Sequence, residues 1–323
     1  MKQGRLGRTD LSLSPIGLGC ATFGREIDEQ TSFRILDYAV ERGVTFLDTA
    51  ESYGGGNSQA YRREHMGVED VRETSNQMSS SELILGRWMR DRGCRDEVTV
   101  CTKVSTGNDP ENITRAVRNC SQRLDVDKID LFLLHTPDAQ VPIAESLDAL
   151  NCEVTAGRIG AIGCSNHDGG QLQEALETSR RLGFARFEAI QNIYNMVHRE
   201  AEEDIFALCA EHDVSFIAYS PLGAGFLTGK YTPNRDQLPI GTRFHVIPGH
   251  CDVYFSDEGF QVVEQLRANS DRLGLPMAYL AGAWVSQNPQ VACTLFGART
   301  CKHVDNGCAT LEATDHIDLF NAT

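Results

Sequence analysis

Ile16-Gly17-Leu18-Gly19-Cys20-Ala21-Thr22-Phe23-Gly24 decides between two architectures. Its first five residues form a short apolar run without polar alternation, the pattern of a parallel strand buried on both faces. The residues after that run do not spell Gly-x-Gly-x-x-Gly. An open, doubly wound sheet that cradles a dinucleotide needs those glycines directly after its first strand, so that the backbone can approach a pyrophosphate. The alternative is a barrel that closes on itself. Outward from this stretch, seven more short β-rich runs recur at 44–48, 97–102, 129–134, 159–163, 187–190, 214–218 and 291–296. Helical patterns lie between and after them, at 29–43, 81–92, 110–124, 142–156, 169–183, 200–212, 276–288 and 300–312. Asp109-Pro110-Glu111 places a proline and an acid in a first helical turn, and Leu275-Pro276 marks another start. Eight strand–helix units predict an α/β fold, a (β/α)8 TIM barrel in one domain over residues 1–323. A small hairpin around Arg8-Thr9-Asp10 precedes it.

Composition narrows the function. The 323 residues carry 30 Lys and Arg against 45 Asp and Glu, a formal net charge of −15, with 41% hydrophobic and 23% charged residues. That balance fits a globular chain rather than a disordered one. The acid excess argues against bulk nucleic-acid binding and against attachment to anionic lipid, so neither partner is expected. The 11 cysteines include no Cys-x-x-Cys pair, which excludes a zinc ribbon and a thioredoxin motif. Cys101 and Cys293 fall inside apolar runs, where a free thiol behaves as a small hydrophobe. His245, His250 and Cys251 fit no standard ligand spacing, and no metal is expected. With no apolar core in residues 1–10 and no apolar window of about 18 residues, neither a signal peptide nor a membrane span is expected, and a cytoplasmic protein is. Trp88 and Trp284 fall on amphipathic patterns and are expected in the core. The acids of 200–204 read as a solvated helix start.

Two connections exceed ordinary loops, residues 54–80 and 220–257, and both leave the C-terminal end of a strand, the face on which barrel enzymes keep their sites. The polar residues expected on that rim are Asp48 with Tyr53 after it, Thr102-Lys103, His135, Ser165-Asn166-His167, Gln191-Asn192, Tyr219-Ser220 and Gly297-Ala298-Arg299. Asp, Lys and His at the ends of apolar runs are costly to bury unless they pair. So many on one rim point to a site.

Gly43-Val44-Thr45-Phe46-Leu47-Asp48-Thr49-Ala50-Glu51-Ser52-Tyr53-Gly54 resembles the signature of the aldo-keto reductases. Gly163-Cys164-Ser165-Asn166, Ala218-Tyr219-Ser220-Pro221-Leu222-Gly223 and Phe296-Gly297-Ala298-Arg299-Thr300 resemble further motifs of that family, in its order and spacing, so the likeness covers about residues 2–312. It implies a (β/α)8 barrel that reduces a carbonyl substrate with a nicotinamide cofactor. It also implies a catalytic tetrad of Asp48, Tyr53, Lys103 and His135, with Tyr53 as general acid. Hydride arriving at a carbonyl carbon builds negative charge on oxygen, which needs a proton donor and nearby positive or dipolar groups. Tyrosine is a poor acid at its ordinary pKa of about 10. A lysine cation about 4 Å away is worth roughly 4 kcal/mol at an effective dielectric of about 20, so Lys103 is expected to lower it, offset in part by Asp48.

For the cofactor, the resemblance implies that Ser165, Asn166 and Gln191 hold the carboxamide and that Tyr219 stacks on the nicotinamide ring. It implies that residues 220–230, including Ser220, Leu222, Gly223, Gly225 and Lys230, cover the pyrophosphate. Gly297 and Arg299 belong to the same set, and Arg299 stands where the family reads a 2′-phosphate, which favours NADPH. His303 replaces a usual glutamine. Asn306 stands one residue short of a usual asparagine, with Gly307 in its place, so the adenine contacts depart from the pattern. The resemblance leaves two functions open: an NADPH-dependent reductase of an aldehyde, ketone or sugar-like substrate, or a cofactor-binding regulatory subunit with slow or no turnover. The 54–80 segment is expected to wall the substrate pocket or to serve as a spacer or subunit contact.

Overall fold

The computed structural model describes residues 1, 3–56, 63–64 and 74–313. Eight parallel strands close into a barrel in chain order: β1 (Ile16–Gly19), β2 (Phe46–Asp48), β3 (Thr99–Val104), β4 (Ile129–Leu134), β5 (Ile159–Ser165), β6 (Phe187–Ile193), β7 (Ser215–Tyr219) and β8 (Val291–Gly297). Closure is the pairing of β8 with β1, Thr294 opposite Ile16 through Gly297 opposite Gly19. Around the barrel run α1 (Glu29–Glu41), α2 (Ser80–Arg92), α3 (Pro110–Leu124), α4 (Ile143–Thr155), α5 (Gly169–Leu182), α6 (Ile205–His212), α7 (Asp257–Leu273), α8 (Met277–Ser286) and α9 (Cys301–Glu312). The hairpin expected near Arg8 pairs Gly4–Arg5 with Ser12–Leu13.

Successive side chains of a strand point to opposite faces, and this period of two divides the core. Phe46, Cys101, Leu131, Leu133, Ala189, Ile217, Cys293 and Leu295 fill the lumen, together with Leu6 and Leu13 of the hairpin segment. Their neighbours Leu47, Val100, Phe132, Leu134, Ile162 and Ile190 join the larger core under the helices. Two residues beyond the lumen set stand Asp48, Lys103, Gln191 and Tyr219, so an apolar floor gives way to a polar mouth at the strands' C-terminal ends. Gly17 keeps the floor filled: a Cβ there would lie 2.6 Å from a Leu295 methyl and 2.8 Å from the Phe46 ring.

Helix starts follow local chemistry. Asp28, Asp109 and Asp168 accept the N–H of Thr31, Asn112 and Gln171, each cap worth about 1 kcal/mol, and Gln171 closes a capping box on Asp168. Pro276 stands just outside α8 and no side chain caps that helix. Trp88 is 1% exposed and donates to Asp37 (2.8 Å), while Trp284 is half-buried against Tyr194.

Two expectations are corrected. The acids of 200–204 are solvated as expected, but they open with a 3-10 turn at Glu200–Glu202 rather than with α-helix, and Asp204, the residue before α6, makes no side-chain cap. The 220–257 segment is not a bare loop. Phe226, Tyr231, Phe244 and Tyr254 pack there with Cys251, Val263, Leu266, Met277 and Leu280 into a second core. That core also buries α7, a helix the periodicity did not announce, although Ser256 caps it and Gly274 ends it at φ +66°. The wall expected from 54–80 falls mostly outside the described residues, at 57–62 and 65–73. Its ends are anchored: Ser79 Oγ donates to Glu51 O (2.6 Å), Ser81 Oγ to Cys20 O (2.9 Å) and Thr74 Oγ1 to Ile27 O (2.9 Å).

Candidate active site

The mouth of the barrel assembles around one buried ion pair. Lys103 Nζ lies 2.6 Å from Asp48 Oδ1, with side-chain exposures of 0% and 4%. The ammonium also donates to Thr49 O (2.8 Å), and the same Asp48 oxygen accepts from Gln191 Nε2 across the lumen (2.8 Å). Beyond β2 the chain stays tied to β3, Thr49 N to Cys101 O and Glu51 N to Lys103 O, before turning at Tyr53 N to Ala50 O. That turn sets the Tyr53 ring 4.9 Å from Lys103 Nζ. His135, just past β4, meets Tyr53 edge-on at 5.6 Å between centroids, and its Nδ1 lies 2.7 Å from Ser105 Oγ. Ser105 is itself held, its N–H donating to Glu51 Oε2 (3.0 Å).

The charge states follow from these neighbours. Burial works against the Lys103 ammonium, but Asp48, Tyr53 and Cys101 outweigh it and raise its pKa above the usual lysine value. Burial pushes the Tyr53 phenol up, Lys103 opposes, and Asp48 adds to the rise. The expectation that Lys103 lowers Tyr53 is therefore corrected: the lysine acts in that direction and is outweighed. Burial and then Lys103 depress His135 to about 3, so the ring is neutral.

Around this group lie the residues expected to hold a cofactor. Ser165 is buried and donates to Gln191 O (2.7 Å). Asn166 sits at φ +60°, a conformation asparagine tolerates better than most residues. Its N–H donates to Asn192 Oδ1 (2.7 Å), its Nδ2 to His135 O (2.9 Å), and its Oδ1 accepts from Tyr219 OH (2.7 Å). Tyr219, Asn166 and His135 thus form one hydrogen-bonded line along the rim. Gln191 commits one of its two amide N–H donors to Asp48.

Past β7 the backbone takes positive φ at Ser220 (54°), Gly223 (55°), Ala224 (54°) and Gly225 (93°), with Leu222 half-buried between them. A Cβ on Gly225 would lie 2.7 Å from Lys230 Nζ, so the lysine folds back over this loop. Burial lowers the Lys230 pKa and Arg299 lowers it further, which marks two cations close together. Gly297 ends β8 on the exposed rim, and Arg299 Nη1 follows it 3.6 Å from Glu26 Oε2. His303 is pulled down by burial and by Arg299, and its Nδ1 lies 2.8 Å from Thr300 Oγ1. Asn306 instead accepts from Tyr279 OH across the α8–α9 contact (3.3 Å). Sequence reasoning passed over Ser105, Glu51, Glu26 and Arg243, all in connections where no periodicity signals a role.

Chemistry rather than volume singles out this mouth. A cleft of about 670 Å³ near Arg118, Glu153 and Arg158 lies at the opposite, N-terminal ends of β4 and β5. Among the described residues no helix is long and apolar enough to cross a membrane.

Residues 15–316 match the Aldo/keto reductase family. The chain is 30% identical to an uncharacterized oxidoreductase of Bacillus subtilis, over 95% of this chain and 90% of that protein. It is 29% identical to a probable voltage-gated potassium channel subunit beta of Arabidopsis thaliana (99% and 93%), and 28% identical to the NADH-specific methylglyoxal reductase of Escherichia coli (100% and 96%).

Proposed function

Because the chain belongs to the aldo/keto reductase family, we propose that it reduces the carbonyl of an aldehyde, ketone or sugar-like substrate, with Tyr53 as proton donor and NADPH as cofactor. The observation that carries this reading is the convergence of Asp48, Tyr53, Lys103 and His135 at the barrel mouth. The bound nicotinamide supplies hydride to the carbonyl carbon. Tyr53 keeps its proton at neutral pH and gives it to the carbonyl oxygen as charge develops there. Lys103, anchored by Asp48, stabilises the phenolate left behind. Neutral His135, held at Nδ1 by Ser105, turns Nε2 to the same oxygen and orients it.

The cofactor's fit rests on the positive-φ loop, which brings backbone close to a pyrophosphate, and on Lys230 and Arg299 as its counter-charges. Ser165, Asn166 and Gln191 would hold the carboxamide, Tyr219 would stack on the nicotinamide ring, and His303 would meet the adenine. Arg299 favours NADPH because a 2′-phosphate offers it a charge-assisted bond. The 11 free cysteines support a reduced, cytoplasmic setting.

Tyr53→Phe tests the reading. It keeps the ring but removes the proton donor, so kcat should fall about 10²-fold or more while the cofactor Kd stays within about threefold. Full activity in the variant overturns the assignment, and equal Kd values for NADPH and NADH in the wild type overturn the cofactor choice. The likeness to a channel beta subunit favours a second reading, a cofactor-binding regulatory subunit. Cofactor binding without turnover on a panel of aldehydes, ketones and quinones would select it.

A further inference from the structure

Glu26, in the connection between β1 and α1, has a side chain only 6% exposed among three guanidinium groups. Arg25 Nη2 lies 2.5 Å from Oε1, Arg243 Nη1 lies 3.6 Å from the same oxygen, and Arg299 Nη1 lies 3.6 Å from Oε2. The three arginines come from three places: beside Glu26, from the packed segment after β7, and from the end of β8. Arg25 is itself buried, at 8% exposure, and its Nε has no hydrogen-bond partner among the described residues. Burial, Arg243 and then Arg25 depress His250 to about 4, which places the imidazole close to two of these guanidinium groups. Among the described residues one carboxylate meets three cations here, and Arg299 is divided between Glu26 and whatever anion arrives.

We propose that Glu26 determines cofactor specificity: its carboxylate competes with a 2′-phosphate for Arg299 and so narrows the preference for NADPH over NADH. This rests on the reading of Arg299 as the residue that meets the phosphate. A 2′-phosphate must draw Arg299 away from Glu26 and settle near a fixed negative charge. The 2′-hydroxyl of NADH meets neither demand. Glu26 therefore weakens one cofactor and leaves the other unaffected.

Fluorescence titration of each cofactor into the purified protein, without substrate, measures the contest. Glu26→Gln keeps the shape and removes the charge, so the NADPH Kd should fall about fivefold or more while the NADH Kd stays within about twofold. That gain should vanish when Arg299→Ala is added. Arg243→Met reads the same contest from the other side and does not depend on Glu26→Gln folding. With one cation fewer to share Glu26, Arg299 is held more firmly, and the NADPH Kd should rise about threefold at constant NADH Kd. Equal shifts of both cofactors, no shift in either, or weaker NADPH binding in Glu26→Gln would overturn the proposal. Failure of the wild type to bind either cofactor would instead overturn the reductase reading on which it rests.

Discussion

Replacing Lys103 with methionine isolates what the buried ion pair contributes. At 2.6 Å the pair attracts by about 6 kcal/mol at an effective dielectric of about 20, and the desolvation of two ions with 0% and 4% side-chain exposure offsets most of it. The net worth of the intact pair is therefore small. The variant meets a different balance. Asp48 keeps its desolvation cost and loses its counter-charge, retaining the Gln191 amide as its side-chain donor, and Thr49 O loses its partner. Breaking a buried pair in this way costs about 3–5 kcal/mol. Equilibrium urea unfolding at neutral pH, followed by far-UV circular dichroism, should register that loss as a lower midpoint at similar slope. Adding Asp48→Asn removes the stranded charge, so the double variant should regain about half of the lost stability or more while remaining inactive. A loss under about 1 kcal/mol in Lys103→Met would refute the reasoning, as would a double variant no more stable than the single one.

Two other parts of the molecule give further expected outcomes. His135 and His250 are depressed to about 3 and about 4 when folded, against about 6.5 unfolded, so the unfolded chain binds the extra protons. Their contribution to stability is complete above about pH 6.5 and is lost as pH falls toward 3–4, at up to about 1.4 kcal/mol per pH unit for each. His135→Asn should flatten the urea midpoint between pH 6.5 and 4 relative to wild type, and parallel profiles would contradict this. Gly163 sits where an added Cβ would meet Ala189 O at 2.3 Å and a Leu133 methyl at 2.7 Å. Gly163→Ala should therefore cost about 1–3 kcal/mol by thermal or urea unfolding, and an unchanged midpoint would show that the lumen yields more easily than its packing implies.

What could be read in advance depended on how local the signal was. The strands announced themselves because a strand buried on both faces must be apolar throughout, and Asp109-Pro110 marked a helix start because the cap and the proline act within four residues. The rim residues were legible for the same reason, as polar groups at the ends of apolar runs. Helix α7 escaped because its buried residues Val263 and Leu266 pack against Phe226, Tyr254 and Leu280, partners that no short window contains. The Tyr53 shift escaped for another reason. Its sign depends on the sum of burial, Lys103 and Asp48, and the sequence supplies the charges but not their distances. Glu26 gave no signal because two distant segments, carrying Arg243 and Arg299, complete its surroundings.

The order of the strands carries a consequence for how such a site can be rebuilt. Asp48, Tyr53, Lys103 and His135 all lie on or just after β2–β4, whereas the residues assigned to the cofactor, Ser165 through Asn306, all come from β5 onward. The residues assigned to the reaction and those assigned to the coenzyme thus fall in separate halves of the chain, with Glu26 the exception. Around the site the halves meet through Gln191 on Asp48, Asn166 on the His135 carbonyl, and Arg243 and Arg299 on Glu26. A recombinant that joins the front half of this barrel to the back half of a relative inherits its coenzyme preference as a unit, provided those contacts are matched.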